Sequence, residues 1–68
     1  MELKEQIARK ALEYVKDGDT IAIDSGSTAS LFAMALKARN FDSLSVITYS
    51  SEVFSILSEC GNYRITLL

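Results

Sequence analysis

Three short β-favouring runs, each separated from the next by a stretch long enough for a helix, constrain this chain more than any other feature. Thr20-Ile21-Ala22-Ile23, Leu44-Ser45-Val46-Ile47-Thr48 and Tyr63-Arg64-Ile65-Thr66-Leu67-Leu68 carry β-branched and apolar residues, with turn-forming residues at their borders. Hairpin turns would join them in a few residues, whereas the intervening segments exceed the dozen or so that a parallel crossover needs, counted as about 12. Such crossovers are right-handed within one sheet, so the expected fold is half of an open, mostly parallel α/β sheet in the order α-β-α-β-α-β.

The segments between and before the strands support this. From Glu2 to Lys16, Leu3, Ile7, Ala8, Ala11, Leu12 and Val15 recur at three- and four-residue steps, with Glu5 four residues before Arg9, which predicts an amphipathic helix. Asp17-Gly18-Asp19 should stop it. Ala29 to Leu36 are almost wholly apolar helix formers followed by Lys37 and Arg39, which predicts a helix covered on more than one face. Glu52 to Cys60 reads as a third helix turning Val53, Phe54, Ile56 and Leu57 inward, with Ser50 or Ser51 as N-cap and Gly61-Asn62 at its end. Parallel strands want helices on both faces, and three helices can cover three strands only in part, so an apolar face and an edge should remain open to a partner, including another copy of the chain.

Composition narrows the function. Sixty-eight residues allow one small domain, and seven Lys and Arg against nine Asp and Glu give a net charge of -2, which argues against a phosphate-backbone footprint and direct nucleic-acid contact. With one Cys and no His, neither an intrachain disulfide nor a zinc framework can form, which fits a reducing, cytoplasmic setting. No apolar run is long enough for a membrane span and no signal peptide is read, so no membrane association is expected.

The leading candidate site is Asp24-Ser25-Gly26-Ser27-Thr28, between the first strand's carboxyl end and the second helix, where open α/β sheets hold ligands. The first N–H groups of a helix are unpaired and carry about half a positive charge, so they can bind an anion such as phosphate without a basic side chain. Gly26 permits close approach, and three hydroxyls add donors. The same residue types also serve as ordinary N-caps with no ligand at all. The loop is neither a Walker A motif, since no Lys follows the last Gly, nor a three-glycine dinucleotide fingerprint. Asp24 would repel a phosphate unless aimed elsewhere; it either accepts from a ligand hydroxyl or braces the turn. Thr48-Tyr49-Ser50-Ser51 ends the second strand on the same side of the sheet, and the two loops together would form one pocket. Tyr49 is either a packed ring at the loop edge or a ligand-facing group.

Other residues offer less. Cys60 at a helix C-terminus sits where the dipole disfavours a thiolate, so a buried structural thiol is expected. Phe32, Met34, Phe41 and Phe54 read as core, and the charges of the first helix, Lys4, Arg9, Lys10 and Lys16, as a solvated face. No nucleophile, base and orienting group can be assembled into a catalytic set, and no cofactor is expected.

The residues Ile7-Ala8 to Ala11, Asp17-Gly18-Asp19-Thr20-Ile21, Asp24-Ser25-Gly26-Ser27-Thr28 and Val46-Ile47-Thr48-Tyr49-Ser50 closely resemble the effector-binding sensor domain of the DeoR family of bacterial transcription regulators. The resemblance implies an α/β, three-layer fold similar to the ribose-5-phosphate isomerase and coenzyme A transferase group, a phosphorylated sugar as effector, and no enzymatic activity. It implies that Asp24, Ser25, Gly26, Ser27 and Thr28 line the pocket, with Thr48, Tyr49 and Ser50 as its second loop. Family members usually have Asn at the position of Tyr49 and Thr at that of Ser27, so ligand identity is the property these departures affect. Residues 1–68 are expected to be a partial sensor domain, without the winged helix-turn-helix that precedes it or the second half that follows, and with correspondingly weak effector binding. Two other readings share the fold: a fragment of ribose-5-phosphate isomerase, suggested by Gly26-Ser27-Thr28-Ala29 and Ser50-Ser51-Glu52 but opposed by Asp24 where that family usually has Gly, and a non-catalytic self-associating α/β piece.

Overall fold

A computed structural model describes residues 3–68, so the expected start of the first helix at Glu2 lies outside the described residues. The first apolar repeat folds as α1 (Leu3–Leu12), shorter than the expected run to Lys16. Its end tightens: the N–H groups of Glu13, Tyr14 and Val15 each reach the carbonyl three residues back, at 3.1 Å, and the Asp19 carboxylate takes the Lys16 N–H at 2.9 Å. The local Asp acceptor replaces the helical bond that would have carried the helix on. Then follow β1 (Thr20–Ile23), α2 (Ser27–Arg39), β2 (Leu44–Thr48), α3 (Ser51–Leu57) and β3 (Tyr63–Leu67).

The strands pair in parallel in the order β1-β2-β3. Register aligns Ile21 with Val46 and Val46 with Ile65, and Ile23 with Thr48 and Thr48 with Leu67. These rows face the helices. Ala33 and Leu36 of α2 and Val53 and Leu57 of α3 form one buried cluster with Ile23, Leu44, Val46 and Tyr63, so both crossovers lie on the same face of the sheet. Each such side chain contributes about 1.5–3 kcal/mol on burial. α2 packs against both α1 and α3, which accounts for its nearly uninterrupted apolar run. On the opposite face Thr20, Ala22, Ile47, Arg64 and Thr66 are exposed. Among the described residues, α2 and α3 therefore cover one face of the sheet.

The carboxyl end of α2 is closed by Asn40 in the left-handed region, φ 54°, whose N–H bonds to the Leu36 carbonyl. The buried Tyr63 hydroxyl donates to the same carbonyl at 2.6 Å and accepts from the Phe41 N–H at 2.8 Å. Burial pushes this phenol's pKa up, partly offset by the Phe41 N–H.

Several side chains depart from the expected pattern. Met34 is exposed rather than core, at the side of a groove it shares with Ile56 of α3, and Leu3 and Ile7 are exposed while Ala8 is the buried residue of α1. Phe41 is core and lies under the Arg39 guanidinium, 5.3 Å from the ring centre. Phe54 is half-buried, as is Cys60, which packs against the core without being enclosed by it. Among the described residues no helix is long and apolar enough to cross a membrane.

Candidate functional site

Both strand-to-helix loops lie at the carboxyl end of the sheet, because β1 and β2 run parallel and each feeds directly into a helix. The first loop turns on Gly26, at φ 110° and ψ 173°, a conformation essentially confined to glycine. Gly26 is the N-cap of α2 and so offers no side-chain cap. Among the described residues, the N–H groups of Gly26, Ser27 and Thr28 find no acceptor. Ser30 bonds back to the Gly26 carbonyl through its N–H at 3.1 Å.

Lys4 of α1 donates to the Ser27 hydroxyl at 2.8 Å. It therefore does more than join the solvated face expected of it: packing of α1 on α2 brings an ammonium to the start of α2. The two residues are 23 apart in sequence, so no local pattern announces the contact. Glu52, also absent from the expected site, accepts from the Ser30 hydroxyl and ties the first turns of α2 and α3 together.

Asp24 links the two loops. Its Oδ1 accepts from the Ser25 N–H at 2.8 Å and from the Tyr49 hydroxyl. The Tyr49 bond and, after it, the Ser25 N–H hold the Asp24 carboxyl below its ordinary pKa, against a slight opposing effect of burial. Asp24 and Tyr49 line an open cleft of about 350 Å³ whose other walls include Ala22, Ile47 and Leu68. Asp24 also borders a second groove, of about 290 Å³, shared by Ser25, Thr28 and the Ile7 and Ala11 side of α1.

The second loop is built differently. Thr48 is buried and its hydroxyl accepts from the Ser50 N–H at 3.0 Å, so this side chain shapes the loop and has its hydroxyl already engaged. Ser50 caps α3, its Oγ accepting from the Val53 N–H at 3.2 Å. The geometry therefore joins Asp24, Ser25 and Tyr49 in one cluster and sets Gly26, Ser27 and Thr28 beside Lys4. Thr48 and Ser50 serve the backbone.

Comparison with known proteins bears on this arrangement. The family model for the DeoR C terminal sensor domain matches residues 1–68. The chain belongs to the DeoR sensor-domain family. A lactose phosphotransferase system repressor from Lactococcus lactis subsp. lactis is 43% identical over 65 residues, 96% of this chain and 26% of that protein. The glycerol-3-phosphate regulon repressor of Escherichia coli (strain K12) is 38% identical, covering 97% of this chain and 25% of the repressor. The chain thus spans about a quarter of the length of these DeoR relatives. Among solved structures, ribose 5-phosphate isomerase A from Methanocaldococcus jannaschii superposes with a TM-score of 0.75 at 27% identity, over 97% of this chain and 30% of the isomerase. The sensor domain thus has the isomerase-like α/β fold.

Proposed function

We propose that this chain is the N-terminal part of the effector-sensing domain of a sugar-phosphate-responsive transcriptional regulator, cytoplasmic, self-associating and without enzymatic activity. In the intact regulator a phosphorylated sugar would shift the sensor's conformational or oligomeric equilibrium and so change operator binding by a helix-turn-helix outside this chain. The observation that carries the reading is the start of α2, where the N–H groups of Gly26, Ser27 and Thr28 lack acceptors within the described residues and Lys4 stands at Ser27. Oriented amides, the helix dipole and one ammonium suit a phosphate. The names of two relatives, a glycerol-3-phosphate regulon repressor and a lactose phosphotransferase system repressor, fit a regulator of phosphorylated metabolites. Asp24 then contacts or orients the sugar portion, with Ser25, Thr48, Tyr49 and Ser50 shaping the pocket.

The likeness to ribose 5-phosphate isomerase favours a second reading, a catalytic fragment. Asp24 weighs against it, because it stands where the isomerase family usually carries Gly.

The test is a titration with inorganic phosphate followed through backbone amide shifts. Residues 25–29 should move, with a dissociation constant near or above about 1 mM, since a helix terminus and one exposed cation supply only a few kcal/mol. Lys4→Gln should weaken binding several-fold and flatten its salt dependence. Silence at residues 25–29 while other amides respond would place the anion elsewhere.

A further inference from the structure

Holding a phosphate at α2 does not require Tyr49, yet its hydroxyl crosses from the β2–α3 loop to the Asp24 carboxylate. We infer that Tyr49 is a positioning residue that fixes Asp24 as a hydroxyl acceptor, making the site selective for a phosphorylated polyol over bare phosphate. The inference rests on the phosphate reading above and assigns Tyr49 its role at that same site.

A carboxylate can accept about four hydrogen bonds. Both donors that reach Asp24, the Ser25 N–H and the Tyr49 hydroxyl, go to Oδ1, and among the described residues no donor reaches Oδ2. One donor comes from the carboxylate's own loop and the other from the neighbouring strand's loop, so together they set the carboxylate plane and leave the second oxygen to a guest. Bare phosphate meets that oxygen as a like charge. A phosphorylated polyol meets it with a hydroxyl, turning repulsion into a charge-assisted hydrogen bond.

The surroundings favour a neutral polyol body. Ala22, Ile47 and Leu68 give the cleft apolar walls, and the half-exposed Tyr49 ring stands at its side, a surface suited to the C–H face of a carbon chain rather than to a second charged group. Lys4, the ammonium brought to the start of α2, is engaged at Ser27. One anionic end and one hydroxyl-bearing end are therefore recognised by different elements.

The experiment compares inorganic phosphate with glycerol 3-phosphate on the unaltered chain and on Tyr49→Phe, following amide shifts, and titrates the Asp24 carboxyl carbon in both without ligand. Tyr49 is 60% exposed, and its replacement by Phe keeps the ring, so folding should be preserved. The unaltered chain should bind glycerol 3-phosphate about tenfold more tightly than phosphate, a ratio matching one hydrogen bond to a charged group. In Tyr49→Phe that ratio should collapse, and the Asp24 midpoint should rise toward the ordinary carboxylate value. An unchanged ratio, or an unchanged Asp24 midpoint, overturns the inference. If residues 25–29 ignore both probes, the phosphate reading and the selectivity fall together, while the carboxyl titration still decides whether Tyr49 positions Asp24.

Discussion

The loops Asp24-Ser25-Gly26-Ser27-Thr28 and Thr48-Tyr49-Ser50-Ser51 have similar hydroxyl-rich compositions and equivalent places at the carboxyl ends of adjacent parallel strands. In the second, Thr48 accepts from the Ser50 N–H and Ser50 accepts from the Val53 N–H, so two amides at the start of α3 are taken by the loop's own side chains, while those of Ser51 and Glu52 find no acceptor among the described residues. In the first, the N-cap is Gly26, and the N–H groups of residues 26–28 find no acceptor among the described residues. The difference is one of position rather than composition. A hydroxyl residue at the N-cap turns its oxygen back onto the helix, whereas a glycine there leaves the amides to whatever arrives from outside.

The largest effect should come from giving the open loop a side chain at its turn. Gly26→Ala places a Cβ at φ 110°, where only glycine is at ease, although no heavy atom lies within 4 Å of the added carbon. The cost is therefore backbone strain, about 1–3 kcal/mol, read as a lower urea midpoint. Phosphate-induced shifts at residues 26–28 should disappear as the loop rearranges to relieve that strain. Retention of both stability and phosphate response would mean that the turn is not what holds the amides open.

Ser50→Ala should lower stability without touching the anion response. Losing the cap of α3 costs about 1 kcal/mol, again visible in the urea midpoint, but should leave the phosphate response of the first loop as it was. Equal damage to that response would show that the two loops share one anion site instead of dividing the tasks of capping and binding.

How much of this could be read in advance differs between local and long-range features. The three strands and three helices follow from the switch between two-residue and helical periods, and their centres fall where Ile21–Ile23, Ala33–Leu36, Val46, Val53–Leu57 and Ile65 put them. Helix ends were harder. α1 stops at Leu12 because Asp19 reaches back to the Lys16 N–H, and α3 stops at Leu57, after which the Cys60 N–H bonds three residues back. The position of the candidate loop was legible because Gly26 and its hydroxyl neighbours follow a strand. The partners that give it chemical character were not: Lys4 with Ser27, Tyr49 with Asp24 and Glu52 with Ser30 are each separated by more than 20 residues and meet only through packing of α1 on α2 and of one loop beside the next. Thr48 shows the converse, a residue well placed along the chain whose side chain the strand's alternation turns inward.

The smallest expected effect concerns the bond that ties the loops together. Asp24 is held below its ordinary pKa by Tyr49 and then Ser25, so its folded value lies beneath that of the unfolded chain, about 3.9 for an aspartate. A carboxyl depressed in this way stabilises the fold fully above the unfolded value and loses that contribution as pH falls through the folded one. The group is exposed and screened by solvent, so the effect is best isolated as a difference between the unaltered chain and Tyr49→Phe. The unaltered chain should be slightly more stable at pH 7, and the gap should shrink as pH drops to about 3. A gap independent of pH would mean that Tyr49 steadies the second loop through its ring alone. The loops would then be neighbours without an ionic link, and a ligand hydroxyl arriving at Asp24 would have no direct route to the start of α3.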